Sequence, residues 1–476
     1  DACKASRATY GASCGTVLDF VNRVARQFPD KTISTLAYDY TRSAPKGIAP
    51  EKNVNIMLCS IECNRSRPLE SDPRSAGFRG DVEEWGRLTR NILVWDYVVQ
   101  FRNLVSPFPN LRVLQPNIRF FAKNGVRMMF QQGCGANIAE FSELRCYLIA
   151  KLLWNPDVNI DSVMDDFLDG YYGAGGRHIR RYIDRMHDAL ERSDAGLNIF
   201  GYPFDGLQSY LTPALLDEYG RIFDAAEKAC AAQPEQLWRV QVARLPLEYA
   251  ILEISLREVN GELSYFDKRN TPWTVKPAMR ERLERFCARA EKAGIERLEE
   301  GGTSPAEYRA SIEQQLRVSV AGNLAYGKAV TLRTPHSEKY PAQALTNGLH
   351  GPNDYHCNWL GFEGGHMDAV IDLGEVREVR FIRTNFLQQW HSWIWLPRDV
   401  EFLVSHDGVQ FTRAAQVPNT ASDEKGGSFS QPFDAAFPPV KARYIRVKAT
   451  SILACPDWHI GAGGKAWLFC DEIVVE

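Results

Sequence analysis

The chain has 476 residues, an ordinary globular composition (45% hydrophobic, 24% charged) and a formal net charge of -3. That length exceeds one core and implies about two to four domains, each able to bury its own apolar interior. The charge provides no basic field for gripping phosphates, so nucleic acid is not an expected partner and a neutral ligand is.

No apolar run reaches membrane-spanning length, and the opening Asp1-Ala2-Cys3-Lys4 lacks a basic-then-apolar signal. The expectation is a mature, trimmed or incomplete chain. Eleven cysteines, an odd number without a C-x-x-C pair, point to neither a zinc ribbon nor a dense disulfide framework. Eleven tryptophans and eighteen tyrosines suit a sugar-handling protein, because flat rings offer an apolar face and a polar edge. For each ring alone, a place in the core is the alternative.

Residues 16–28 have helical spacing with Val17, Phe20, Val21 and Val24 on one side. Strand-like runs follow at residues 32–38, 54–61, 92–95 and 126–130, with helical patterns at 82–90, 111–123 and 141–153. Apolar strands alternating with amphipathic helices predict a parallel sheet covered by helices. Four strands are too few to close a (β/α)8 TIM-type barrel, so residues 1–156 are expected to be its C-terminal part, with the upstream half as partner. A small open α/β sheet is the alternative, although no Gly-rich phosphate turn follows any strand.

Residues 157–317 turn helical and charged, with candidates at 177–191, 215–231, 237–256 and 279–298, and predict an α-helical bundle domain. Over residues 318–476 short β runs dominate, at 369–373, 379–386, 400–405 and 444–449, separated by turns such as Asp407-Gly408. These predict an antiparallel β-sandwich.

In a parallel barrel the reactive groups sit at the C-terminal ends of strands. Here those ends are polar and aromatic: Tyr38 and Tyr40 after the first run, Glu62 and Asn64 after the second, Trp95, Asp96 and Tyr97 after the third, Gln131 and Gln132 after the fourth. Glycosidic cleavage needs a carboxylic acid to protonate the leaving oxygen and a carboxylate to supply or organise the nucleophile, which makes Glu62 and Asp96 the candidate pair. An ion pair with Arg65, Arg67, Arg74 or Arg79 is the alternative role for either. Gln131 can bind a hydroxyl but cannot serve as an acid.

Five segments in order, Leu36-Ala-Tyr-Asp-Tyr-Thr-Arg42, Leu58-Cys-Ser-Ile-Glu-Cys-Asn64, Ile92-Leu-Val-Trp-Asp-Tyr97, Phe130-Gln-Gln-Gly133 and Glu140-Phe-Ser-Glu-Leu-Arg145 through Lys151-Leu-Leu-Trp-Asn-Pro156, resemble a bacterial family labelled as a domain of unknown function and grouped with glycoside hydrolase family 163. The resemblance implies endo-β-N-acetylglucosaminidase action on complex N-glycans. It implies a substrate-assisted retaining mechanism without a catalytic cofactor, in a secreted, periplasmic or cell-surface protein. Glu143, inside the fifth segment, joins the substrate-binding candidates.

Asn323-Leu-Ala-Tyr-Gly-Lys-Ala-Val330, Ala344-Leu-Thr-Asn-Gly348, Met367-Asp-Ala-Val-Ile-Asp-Leu-Gly374, Val400-Glu-Phe-Leu-Val-Ser-His-Asp-Gly408, Arg443-Tyr-Ile-Arg-Val447 and Asp471-Glu-Ile473 are similar to the discoidin-like (factor 5/8 type C) jelly roll, also known as carbohydrate-binding module family 32. That resemblance implies a structural calcium held by Ala344, Asn347 and Glu472; an Asn-Gly turn without metal is the alternative. Ca²⁺ is a hard cation that takes oxygen ligands. Trp390, Trp393, Trp458 and His459 are candidates for a sugar-stacking face, with Trp393 and Trp395 expected on one face of a strand. Three functions remain open: a hydrolase of N-acetylglucosamine-containing glycans, an α-glucuronidase-like hydrolase using Arg42, Arg65 and Arg67, and a non-catalytic carbohydrate-binding protein.

Overall fold

A computed structural model describes residues 2–135, 137–259, 261–269, 272–317, 320–421 and 427–476. Asp1 and Val318, the expected first residues of the barrel segment and of the sandwich, lie outside them. The chain divides into two compact units, Asp1–Ile254 with Glu281–Glu307, and Ser255–Arg280 with Tyr308–Glu476. Among the described residues no helix is long and apolar enough to cross a membrane. Among the described residues no cysteine takes part in a disulfide.

The first unit begins with α1 (Ala2–Tyr10) and α2 (Gly15–Gln27), then alternates β1 (Ile33–Ala37), β2 (Val54–Cys59), α3 (Ala76–Leu88), β3 (Ile92–Tyr97), α4 (Leu111–Lys123), β4 (Met128–Gln132) and α5 (Ser142–Trp154). The four strands form one parallel sheet in the order β1-β2-β3-β4. Strand order follows chain order without reversal, so this sheet lacks the switch point of a doubly wound nucleotide fold.

Register assigns the faces. Ala37, Leu58, Val94 and Met129 are aligned neighbours on one face, where Val54, Ile56, Leu58, Ile92 and Val94 pack against Leu18, Val82, Trp85 and Phe121 of the helices. On the other face Leu36, Met57, Leu93 and Met128 form a row, followed by Cys59, Trp95 and Phe130. Leu36, Met128 and Phe130 on this second face are exposed.

The side of α2 on which Val17, Phe20, Val21 and Val24 were grouped is not its inward face: Leu18, Val21 and Ala25 face inward, whereas Val17 and Phe20 are exposed. Positions i, i+3 and i+7 share one helical face, and a second apolar stripe runs beside it. The unit continues through α6 (Ile160–Tyr172), α7 (Gly176–Glu191), α8 (Pro213–Ala229), α9 (Pro234–Ala243) and α10 (Leu245–Arg257). A single helix over residues 237–256 was expected. The chain instead restarts at Leu245, because Pro246 lacks the N–H a continuing helix needs and fits a first turn. In α7, Ile179, Tyr182, Ile183, Met186 and Leu190 are buried while Arg180 bridges Asp161, Asp165 and Asp184 on the outer side.

After α11 (Pro277–Lys292) and α12 (Pro305–Gln315) the second unit is dominated by β structure. Besides a small pair, β5 (Phe266–Asp267) and β6 (Thr274–Val275), it has β7 (Val330–Leu332), β8 (Leu360–Glu363), β9 (Met367–Gln389), β10 (Asp399–Ser405), β11 (Thr412–Pro418), β12 (Ser428–Ala449) and β13 (Trp467–Val475). Their order is β11-β10-β12-β9-β13-β8, with β7 also on β9, and the pairings are antiparallel. The runs at 369–373 and 379–386 belong to one strand, β9. Along its long pairing with β12 the register shifts between Ala436 and Val440, where Pro438 and Pro439 supply no donor to the ladder. Trp359, Phe362, Phe386, Phe402, Phe433 and Ile445 fill the sandwich core.

Candidate functional site

The C-terminal ends of β1 to β4 carry the residues singled out in the sequence, but strand alternation sorts them onto two faces. Trp95 and Tyr97 belong to the face opposite the helices. Trp95 Nε1 donates to Gln132 Oε1 at 2.7 Å, its ring meets Phe130 edge-on at 5.0 Å and stacks with Tyr97 at 6.4 Å. Cys59 lies in the same row, beside Trp95. Burial, then the neighbouring Cys59 and Tyr38, push the Tyr97 phenol well above its ordinary range. Tyr38 is partly exposed, and Tyr40, in the short 3-10 turn Asp39–Thr41, more so. Cys59 was missed; the period-2 alternation of Val54-Asn-Ile-Met-Leu-Cys59 was the signal that could have found it.

Asp96 is registered with Gln131, on the face of Val94 and the helices. It is 9% exposed and works through one oxygen: Ser60 Oγ donates to Oδ1 at 2.6 Å, the Tyr97 N–H donates to it at 3.0 Å, and Arg65 Nη2 stands 3.6 Å away. Arg65 itself is buried, donating from Nε to Tyr97 O, from Nη1 to Cys63 O and from Nη2 to Ser60 O. This knot locks the turn after β2 to the end of β3. Gln131 Oε1 is buried with no partner among the described residues, so Gln131 does not face the Trp95 row.

Glu62, in the turn after β2, has a side chain 45% exposed. Arg42 Nη1 holds it at 2.8 Å while Arg42 Nε binds Asp81 at 2.6 Å. Helix α3 provides the base, since Asp81 takes the guanidinium and Trp85 Nε1 donates to Arg42 O at 2.8 Å. Asn64 is buried: its Oδ1 accepts from the backbone N–H groups of Ser66 and Leu197 and from Ser66 Oγ, and its Nδ2 donates to Asp72. The amide is spent on the loop and is not available to a substrate. Glu143, in the first turn of α5, lines a separate cavity with Tyr171, Tyr172 and Trp238. The structure therefore groups Trp95, Tyr97 and Gln132, with Cys59 and Tyr38 adjacent, and separates Asp96, Gln131, Asn64 and Glu143 from them.

In the second unit, the expectation that Trp393 and Trp395 share a strand face is corrected. Residues Trp390–Ser392 form a 3-10 turn and Trp393 ends it at φ 62, a left-handed conformation that rotates its ring away from the strand direction. Trp395 is core, against Cys455 and Ala466. Trp393 is 41% exposed, and its ring rests on a glycine loop, where a Cβ on Gly461 would stand 2.8 Å from Trp393 Cε2. Trp458 is 51% exposed and meets the partly buried Trp390 edge-on at 6.1 Å. His459 is buried; Gly461 N donates to its Nδ1 at 3.0 Å, which puts the proton on Nε2 for the 2.9 Å bond to Trp390 O. It organises the loop, leaving Trp393 and Trp458 as its accessible rings.

Residues 1–184 match the family model of a domain of unknown function (DUF4838), and residues 329–473 match that of the F5/8 type C domain. The chain carries both domains. No curated protein matches the chain. Similar solved structures include chitosan-binding module 1 of a chitosanase/glucanase from Paenibacillus sp. IK-5, at 21% identity, covering 32% of this chain and 98% of that one, with a TM-score of 0.23. A Clostridium perfringens module (CpGH89CBM32-5) in complex with GalNAc-beta-1,3-galactose is similar at 18% identity, covering 32% and 98%, with a TM-score of 0.22.

Within the F5/8 type C domain, Glu472 is fully buried. Asn323 Nδ2 donates to its Oε1 and Gly348 N to its Oε2, both at 2.9 Å. These neutral donors do not offset the burial, which pushes its carboxyl up to about 9. Asn347, one residue before Gly348, is buried with Oδ1 accepting from Leu349 N at 3.1 Å, and Ala344 lies in the adjoining 3-10 turn Ala342–Leu345. A buried carboxyl with no cationic partner among the described residues, next to amide and backbone oxygens, fits a hard cation in its chemistry.

Proposed function

We propose that this is a glycoside hydrolase acting on N-acetylglucosamine-containing glycans, with the DUF4838 domain as an arc of a (β/α)8 barrel and the F5/8 type C domain as its glycan-binding module. The observation that carries the reading is the face formed by Trp95, Tyr97, Phe130 and Gln132 at the C-terminal end of a singly ordered parallel sheet, with the exposed Glu62 carboxylate after the neighbouring strand. Rings and an amide suit a pyranose, and that end of the sheet is where barrel enzymes keep their chemistry. Exposed Leu36 on β1 and Met128 and Phe130 on β4 suit strands whose barrel neighbours are supplied by further sequence, the upstream half as partner.

In this reading Glu62 is the carboxylate that meets the glycan, Asp96 orients the turn that presents it, and the resemblance to glycoside hydrolase family 163 gives endo-β-N-acetylglucosaminidase action on complex N-glycans, with substrate-assisted retention. Such a protein works outside the cytoplasm, secreted, periplasmic or at the cell surface. The arginines favour a neutral sugar over a uronic acid: Arg42 is taken by Glu62 and Asp81, Arg65 by backbone oxygens, and Arg67 donates to Ser193 O. A second reading, a non-catalytic glycan binder, is favoured by Asp96 and Gln131 lying on the helix face.

The F5/8 type C domain would hold Ca²⁺ through Ala344 O, Asn347 Oδ1 and Glu472, which fixes the loop and takes no part in catalysis. Release of glycan from a complex N-glycoprotein by the full-length protein tests the reading. Absence of any release, with glycan binding retained, overturns hydrolysis in favour of the second reading.

A further inference from the structure

The first unit has a cavity of about 260 Å³ that none of the strand-end residues lines. Val105 from the segment after β3 and Phe141 from the one after β4 reach it from the C-terminal side of the sheet, and Tyr171, Tyr172 and Trp238 come from α6 and α9. Phe141 holds its place in a left-handed conformation, φ 49 and ψ 41, which a side chain bearing a Cβ adopts only when its surroundings enforce it.

The polar groups of the cavity are distributed unevenly. Arg239 is engaged: it donates to Glu235 and to Tyr171 O, and it covers the Tyr171 ring at 4.2 Å. Lys292 covers Trp238 at 4.1 Å. Lys292 does not line the cavity, so the Trp238 side that does is left to a ligand. Glu143 stays outside the Glu235–Arg239 pair and faces Tyr171. Tyr172 is 3% exposed and lines the cavity, with no hydrogen bond to its hydroxyl among the described residues. A hydroxyl that lines a cavity without a protein partner is available to a ligand or to water.

We infer that this cavity is a subsite for one neutral pyranose unit of a glycan, held by Glu143 and the Tyr172 hydroxyl and packed on Trp238. A carboxylate accepts from sugar hydroxyls, the phenol donates to one, and the indole and the neighbouring Val242, Leu245 and Pro246 cover the apolar face of the ring. An anionic sugar would meet Glu143 and Glu235, which both line the cavity. The inference rests on the reading of this protein as glycan-active and adds a binding position away from the Glu62 turn.

The test uses the full-length protein with Trp393→Ala and Trp458→Ala, which removes the accessible rings of the sandwich loop, and titrates tri-N-acetylchitotriose and trigalacturonate by calorimetry. The expected result is binding of the acetylated trimer and none of trigalacturonate, with the acetylated trimer weakened about tenfold by Tyr172→Phe and at least as much by Trp238→Ala. Tyr172→Phe keeps the ring, so its loss of affinity does not depend on a refolded cavity. Binding unchanged in Tyr172→Phe and Trp238→Ala, or no binding of the neutral trimer, overturns the subsite. Hydrolysis is scored separately on a complex N-glycoprotein: activity with an inert cavity sinks only the subsite, whereas binding in the cavity without activity sinks only the hydrolase reading.

Discussion

Ser60 Oγ donates a 2.6 Å hydrogen bond to Asp96 Oδ1, tying the turn after β2 to the end of β3. Glu62 lies two residues beyond Ser60 and is exposed, whereas Asp96 is buried beside Arg65. The two carboxyl groups therefore answer differently to loss of charge.

Glu62→Gln is expected to lower hydrolysis of a complex N-glycan by ~100- to 10,000-fold while leaving the thermal transition in place, because general acid–base help is worth that much and the Arg42 contact is mostly a surface one. Asp96→Asn is expected to lower activity and the transition together, since it removes the negative charge next to a buried guanidinium. Steady-state rates and melting curves of both variants check this. An Asp96→Asn protein with wild-type stability and no activity would return Asp96 to the chemistry itself.

Calcium is expected to raise the melting transition of the F5/8 type C domain, and chelator to lower it. Binding to the folded state alone contributes about 3 kcal/mol at a hundredfold excess over Kd. Glu472→Gln should abolish the response, because an amide has no proton to release and cannot become the anionic ligand that the buried carboxyl becomes when the cation binds. Equal midpoints with calcium and with chelator in the wild type would leave Asn347-Gly348 as a plain turn.

The strand runs, most helices and the β-rich character of the last third were legible because each rests on a local signal: apolar alternation, helical spacing, or turn dipeptides. Faces were not. Asp96 stands between Trp95 and Tyr97 in sequence and across the sheet from both in space, and a strand read as uniformly apolar hides that alternation. Asn64 looked like a ligand for sugar hydroxyls because a polar residue at a strand end has two possible masters; Leu197, far along the chain, is the one it serves. Trp393 and Trp395 misled for a related reason, since Trp393 is itself left-handed at the end of the turn and so cancels the strand parity.

Exposure separates three tryptophans by their effect. Trp393→Ala and Trp458→Ala are expected to weaken glycan binding by the F5/8 type C domain with little change in stability, because both rings are open to solvent. Trp395→Ala is expected to cost about 3–5 kcal/mol through the cavity it leaves against Cys455 and Ala466. Glycan-array binding and denaturant melts of the three variants check the division; a Trp395→Ala protein of native stability would contradict the core assignment.

His187 gives a pH dependence whose sign follows from its contacts. Its Nε2 accepts from Leu111 N at 3.0 Å and its Nδ1 lies 2.7 Å from Ile183 O, so the neutral ring satisfies the backbone on both sides. Burial first, and then Arg112 and Arg145, bring its pKa down from 6.5 to about 4, against a partial opposing effect of Ile183 O. Below pH 6.5 the unfolded chain takes up a proton that the folded chain refuses, so the stability this group contributes is complete above that value and is lost as pH falls to about 4. The loss amounts to roughly 3 kcal/mol for such a shift. Protection of the α7 amides against hydrogen exchange, corrected for intrinsic rates, should fall over this window in the wild type. It should fall less in His187→Gln, whose amide has an acceptor for Leu111 N and a donor for Ile183 O but no proton to gain. Equal declines in the two proteins would assign the acid sensitivity of this helix to other groups.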